Sequence, residues 1–303
     1  MDDSRETKKV IGVRRLKEAM AKPASLRIIT VANQKGGVGK TTTTVNLAAA
    51  LSMGGLRVAV IDLDPQGNAS TALGVEHLEN AGIYEVLMGD LTMSQAIQKV
   101  KGFPSLECVS SNTSLAQAEI ELVPMVAREM RLKDAIDELA TQRIAAGEPL
   151  DYIFIDCPPS LGLLTINALT AAKEMLIPIQ CEYYALEGLS QLLKTYDLVK
   201  KRLNSSLKLS TFVLTMFDGR TRLANDVADE IRKHYPNELI DMPIPRAVRV
   251  SEAPGFNQTV MTYDASSPGA IAYMSVAREL AERGKPFDSN VVSINYKREG
   301  EIA

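Results

Sequence analysis

The chain has no tryptophan, and aromatic residues make up only 5% of its 303 positions. Aliphatic residues and methionine must therefore fill the interior, as parallel sheets prefer. Cysteine is sparse and odd in number: Cys108, Cys157 and Cys181 sit in apolar or strand-like contexts without CxxC spacing. That pattern argues against a disulfide framework or a thiolate metal site and for reduced core thiols. No apolar run approaches the roughly 18–20 residues a bilayer span needs, and the N-terminus lacks the apolar core of a secretion signal. A soluble cytoplasmic protein is expected. A large charge of one sign is also missing. The net charge of −3 excludes a protein that coats nucleic acid over its whole surface, although a local basic patch is still allowed.

What is present is an ordinary globular mixture, 46% hydrophobic and 23% charged, with ample material for a core. The charge is uneven. Over residues 1–27 eight basic residues face four acidic ones, giving +4, so the remainder carries −7. Residues 1–25 read as a basic arm, flexible or a short helix, with Val10, Val13, Leu16 and Met20 on one helical stripe. Residues 26–285 read as one domain, and residues 286–303 as a flexible tail. Within the domain, short β-branched runs alternate with helical patterns, the signature of βαβ units. Strands are expected at 27–32, 57–62, 106–110, 151–156, 174–179 and 211–216, with a short one ending at Ile244-Pro245. Helices are expected near 41–53, 83–88, 93–99, 115–140, 163–172, 186–202, 223–234 and 268–283. The fold class is α/β, a doubly wound, mostly parallel sheet with helices on both faces.

The first strand runs into Lys35-Gly36-Gly37-Val38-Gly39-Lys40-Thr41-Thr42, and a helical pattern follows. Strand, glycine-rich loop and helix is the context that makes a phosphate loop credible. Glycines let backbone N–H groups converge on phosphate oxygens, and the helix N-terminus adds a partial positive charge. Lys40 is placed to bridge β- and γ-phosphates, and the Thr41 hydroxyl to ligate Mg²⁺. The usual G-x-x-x-x-G-K-[ST] spacing puts Gln34 where its first glycine belongs, and an extra lysine, Lys35, opens the loop instead. Two carboxylate motifs end later strands: Asp62-Leu-Asp64-Pro-Gln66 and Asp156-Cys-Pro-Pro-Ser160. Carboxyl ends of parallel strands share one edge with the phosphate loop. Asp156 thus fits a carboxylate that holds Mg²⁺ through water, and Asp64 fits one that orients the attacking water.

On these residues the chain resembles the deviant Walker A ATPases that include ParA, MinD and the nitrogenase iron protein. The similarity to the ParA (Soj) partitioning branch covers roughly residues 27–283. It is carried by the loop, DLDPQGN at 62–68, IDCPPSLG at 155–162, QCEYYALEGL at 180–189, VLTMFDGRT at 213–221 and IPRAVRVSEAPG at 244–255. The resemblance implies ATP and Mg²⁺ as cofactors and a homodimer when ATP is bound. Lys35 would act in trans on the partner's phosphates, with Gly36 permitting the close approach. It also implies non-specific double-stranded DNA binding, slow hydrolysis stimulated by a ParB-type centromere-binding protein, and association with the nucleoid. Pro245 would pack against the adenine. Ala247 replaces an asparagine of many relatives, so one side-chain contact to the nucleotide is missing.

For DNA the resemblance points to Arg220 and Arg249, with Arg222 and Arg246 nearby, although residues 218–250 hold six basic and six acidic residues and no net charge. A MinD-like membrane-cycling ATPase is the main rival, but that class ends in a basic amphipathic helix. The stretch 290–303 is short, mixed in charge and acidic at its close, so no stable membrane binding is expected. A cluster-bridged metal carrier lacks the shared cysteine ligands it would need.

Overall fold

The computed structural model describes residues 19–182 and 185–286, without the side chains of residues 185–187. Val10, Val13 and Leu16 of the arm and the 290–303 stretch lie outside the described residues. The strands are β1 (Arg27–Val31), β2 (Val58–Asp62), β3 (Ile97–Lys99), β4 (Leu106–Val109), β5 (Tyr152–Asp156), β6 (Glu174–Gln180) and β7 (Lys208–Thr215). They form one sheet in the order β3-β4-β2-β5-β1-β6-β7. All neighbours are parallel except β3, which runs antiparallel to β4. The longer helices are α1 (Lys40–Met53), α2 (Arg131–Ala145), α3 (Leu163–Ala171), α4 (Ala185–Arg202), α5 (Arg222–His234) and α6 (Pro268–Arg283).

Side chains alternate across a strand, and the two cores follow that period. Ala59, Ile61, Ile153 and Ile155 face a layer that includes Leu132 and Ile136 of α2 and Leu192 of α4. Val58, Val60, Tyr152 and Phe154 face α1 and α6. Helix α1 is buried along nearly its whole length, because Leu47, Ala48 and Leu51 pack between the sheet and α6. That rigid seating fixes where the loop preceding it must lie.

Three local expectations are corrected. The helix expected over 93–99 stops at Ala96, and Ile97–Lys99 becomes the edge strand β3, with Ile97 opposite Val109. Pairing satisfies the backbone there, and Gln98 ties the strand to Glu76 and Ser110. The helix expected over 115–140 is two, Leu115–Glu121 and α2. Pro124 lacks the N–H needed to continue the first, and Ala127 takes a left-handed φ of 53°. Arg131 then caps another helix by donating to the carbonyls of Leu87 and Met88 at 2.8 and 2.6 Å. The strand expected to end at Ile244-Pro245 is reduced to isolated bridges, Phe212 with Leu239 and Phe217 with Pro245.

Packing also begins before Leu26. The Met20 side chain is buried and lies over Gly54, where any Cβ would meet it at 2.5 Å. The Met20 amide donates to the Gly54 carbonyl at 2.9 Å. All three cysteines are free and buried. Burial pushes the Cys157 thiol up to about 12 and the Cys181 thiol up to about 11.

Candidate active site

The loop from β1 to α1 sits at the carboxyl edge of the sheet. Gly37 and Gly39 have φ values of 73° and 87°, a region open to glycine at little cost. The loop is pinned at both ends. Asn33 donates through Nδ2 to the Pro178 carbonyl at 2.8 Å and accepts from the Lys35 amide at 3.0 Å. Thr215, the last residue of β7, donates to the Val38 carbonyl at 2.8 Å. Gly36 and Gly37 are exposed, and a Cβ at either would meet nothing within 4 Å. Gly36 also lacks a left-handed φ, so the single chain gives no reason for glycine there.

Lys40 opens α1 and is 7% exposed. Its ammonium donates to the Lys35 carbonyl at 3.2 Å, and among the described residues no carboxylate lies within ion-pair distance. Burial depresses its pKa, against the fields of Asp156 and Asp64. Lys35 extends the other way and pairs with Glu182 at 2.9 Å.

Asp156, at the end of β5, is fully buried. It accepts from the Thr41 hydroxyl at 2.7 Å and the Thr44 hydroxyl at 2.9 Å. Asp62 ends β2 directly opposite Asp156 in the parallel register. Asp62 is consumed by the next turn of chain, accepting from the Ser70 amide at 2.7 Å and the Ser70 hydroxyl at 2.6 Å. Burial raises the pKa of both carboxyls; the Asp62 charge adds to the rise at Asp156, and the Asp64 charge adds a smaller one at both. Asp64 follows on a tight turn, with one oxygen accepting from the Gln66 amide at 3.0 Å. Its second oxygen has no protein partner among the described residues.

The structure thus brings Lys35, Lys40, Thr41, Asp64 and Asp156 to one edge. Thr44, Asp62, Thr215 and Glu182 belong to the same constellation and received no role from the sequence. The hydroxyl of Thr44, on the turn after Thr41, gave a signal only in hindsight. Asp62 was visible only as a strand-end carboxylate and Glu182 gave no signal, because their partners are set by strand order. Pro245 is half-buried beside Phe217, whose amide donates to the Ile244 carbonyl at 2.9 Å.

The four arginines are exposed, but each has a carboxylate nearby. Arg220 makes a two-pronged contact with Asp218 at 2.8 and 2.6 Å and holds that carboxyl down to about 2. Arg222 lies 3.6 Å from Asp226, and Arg246 lies 4.0 Å from Glu182. Arg249 pairs with Glu252 at 2.9 Å and approaches Asp264 at 3.7 Å. Arg249 shares no partner with Arg220 or Arg222.

A parallel sheet with a glycine loop leading into a buried helix, a lysine inside that loop and carboxylates on the neighbouring strand ends defines a P-loop ATPase. A family model described as an AAA domain matches residues 26–209. The sporulation initiation inhibitor protein Soj of Bacillus subtilis is 48% identical over 85% of this chain and 99% of its own length. The chromosome partitioning protein ParA of Myxococcus xanthus is 47% identical over 86% of this chain and 89% of its own. Among solved structures, cobyrinic acid a,c-diamide synthase of Mycobacterium smegmatis with bound ADP and magnesium is 37% identical. It superposes with a TM-score of 0.72 over 85% of this chain and 95% of that one. The chain belongs to the Soj/ParA family of chromosome-partitioning ATPases. Among the described residues no helix is long and apolar enough to cross a membrane.

Proposed function

We propose that this chain binds ATP and Mg²⁺ at Lys35–Thr42, pairs into a homodimer around the nucleotide, and in that state holds non-specific double-stranded DNA. The observation that carries this reading is the buried Lys40 ammonium, which has one carbonyl acceptor and, among the described residues, no paired carboxylate. A buried cation left in that state is an anion site. The glycines above it leave room for phosphate oxygens at positions 36 and 37.

The donor set also suits magnesium. Thr41 and Asp156 offer hard oxygens, and no group of three or more His, Cys, Asp or Glu forms a dedicated cage among the described residues. Magnesium is commonly held by one or two protein oxygens together with phosphates. When bound, it would supply the positive charge that offsets charge building on the phosphates. Thr44 fixes the second Asp156 oxygen, so Asp156 keeps its orientation when Thr41 turns away. Asp64, with one oxygen free, orients a water for attack. Pro245 packs against the base.

Gly36 supports the sandwich, since its lack of a side chain is needed only when something outside the chain approaches. Lys35 then reaches the partner subunit's phosphates, which makes nucleotide state control association. Arg220, Arg222, Arg246 and Arg249 form the DNA rim. Because each has a neighbouring carboxylate, one subunit binds DNA weakly, and the dimer doubles the number of phosphate contacts. Nucleoid association within the cytoplasm follows from that binding. A ParB-type centromere-binding partner accelerates hydrolysis and releases the DNA.

The test is binding to non-specific duplex DNA without nucleotide, with ADP and with ATP–Mg²⁺, at two salt concentrations, with liposomes alongside. DNA binding that needs ATP and weakens steeply with salt is expected. Arg220→Ala or Arg249→Ala should lower the salt slope by about 1 for each phosphate that is no longer neutralised. Lipid binding without DNA binding would overturn the reading.

A further inference from the structure

Two cations that the proposed function gives separate tasks meet on one carboxylate. Glu182 lies just past β6 on a tight turn, its amide donating to the Gln180 carbonyl at 2.8 Å. One carboxylate oxygen accepts from Lys35 at 2.9 Å. The other accepts from the Gln180 side chain and lies 4.0 Å from the Arg246 guanidinium. β1, β6 and β7 are neighbours in the sheet. The phosphate loop after β1 and the Pro245–Arg246 segment bridged to Phe217, just past β7, therefore flank Glu182 from its two sides.

In this arrangement Lys35 is held in cis. An ammonium paired with its own subunit's carboxylate is partly neutralised and turned toward that carboxylate, so reaching phosphate in a second subunit competes with this pair as the dimer forms. Leaving would strand Glu182, except that Arg246 is already beside it and, among the described residues, has no closer carboxylate. A guanidinium suits that replacement, because two of its five donors match a carboxylate as a pair and the others stay available to DNA phosphate.

We propose that Glu182 is the resting counterion of Lys35, and that Arg246 takes it over when Lys35 leaves for the nucleotide of a second copy of this chain. This rests on the ATP-sandwich reading. Glu182 is a positioning residue: it sets the availability of Lys35 and touches no reacting atom. Its side chain is 46% exposed and that of Lys35 30% exposed, so the restraint is weak, about two- to fivefold per subunit. Two subunits release two such pairs, giving about four- to twenty-fivefold in the dimerisation constant.

The experiment measures the monomer–dimer equilibrium of the full chain by analytical ultracentrifugation with Mg²⁺ and a non-hydrolysable ATP analogue. It compares wild type, Glu182→Gln, Arg246→Ala and the double variant. Glu182→Gln should tighten the dimer by about tenfold, an improvement that damage to the fold does not produce. Arg246→Ala should weaken it about threefold in the wild-type background and by less than about twofold when Glu182 is already Gln. A Glu182→Gln dimer no tighter than wild type overturns the proposal while leaving the sandwich intact. So does an Arg246→Ala effect of the same size in both backgrounds. A wild type that stays monomeric with the analogue overturns the sandwich reading and this proposal with it.

Discussion

At the amino edge of the sheet, Arg27 on β1 meets Glu174 on β6; at the carboxyl edge, Lys40 lies among Asp62, Asp64 and Asp156. Both groups are largely withdrawn from water, but they resolve their charge differently. Arg27 donates to both Glu174 oxygens at 2.7 and 2.6 Å, to the Leu280 carbonyl at 2.6 Å and to the Tyr152 hydroxyl at 3.3 Å. Burial works against both charges, yet the paired hydrogen bonds outweigh it, holding the guanidinium above and the Glu174 carboxyl below their usual values. At the carboxyl edge burial wins. The Asp62 and Asp156 pKa values rise and that of Lys40 falls. A buried charge that is fully matched belongs to the scaffold, whereas one left unmatched is prepared for a ligand.

That contrast can be broken by mutation. The largest effect is expected from Arg27→Ala, which strands Glu174 and should cost about 3–5 kcal/mol, a fall in Tm of roughly 10 °C. Nucleotide affinity should stay within about twofold, the usual independence of distant sites. Loss of binding in the still-folded variant would show that the two edges are not independent. Lys40→Ala should do the reverse, weakening ATP by at least about 100-fold, or about 2.7 kcal/mol, with no loss of Tm. Asp64→Ala should cut hydrolysis by about 100-fold while the ATP-bound, DNA-bound dimer persists. Rapid turnover there would remove Asp64 from the role of orienting water.

The smallest effect concerns Asp156→Asn without nucleotide. Because the folded carboxyl has a raised pKa, the native state holds a proton that the unfolded chain releases above about pH 4. Stability contributed by that protonated form is lost as pH rises toward the folded value. Asparagine removes this dependence, so the variant should gain stability relative to wild type as pH rises from 5 to 8. Chemical denaturation at the two pH values measures the difference. Magnesium-dependent ATP binding should fall in the same variant. A variant equally destabilised at both pH values would mean that Asp156 is structural.

Much of this was legible in advance, and the parts that were not have physical reasons. The loop at 35–42 is a local object, since its glycines, lysine and following helix are contiguous. The β2 and β5 strands were legible because fully buried parallel strands are apolar on both faces. The split at Pro124 was also visible in the residues, but helical periodicity on both sides masked it. β3 was not visible, because three residues carry little pattern and only β4 makes them a strand. The arginine rim was read as uncharged on balance, and the structure resolves that balance into individual pairs such as Arg220 with Asp218 and Arg249 with Glu252.

The sequence by itself determined the phosphate loop, the alternation that yields a parallel sheet, and the carboxylates ending β2 and β5, because each depends on neighbours a few residues away. Only the tertiary structure decided that Asp62 stands opposite Asp156 and spends itself on Ser70. It alone placed Lys35 and Arg246 on Glu182, and matched Arg27 to Glu174 across 147 positions of chain. Those partnerships arise from the order in which strands lie side by side, and strand order is set by packing both faces of the sheet at once.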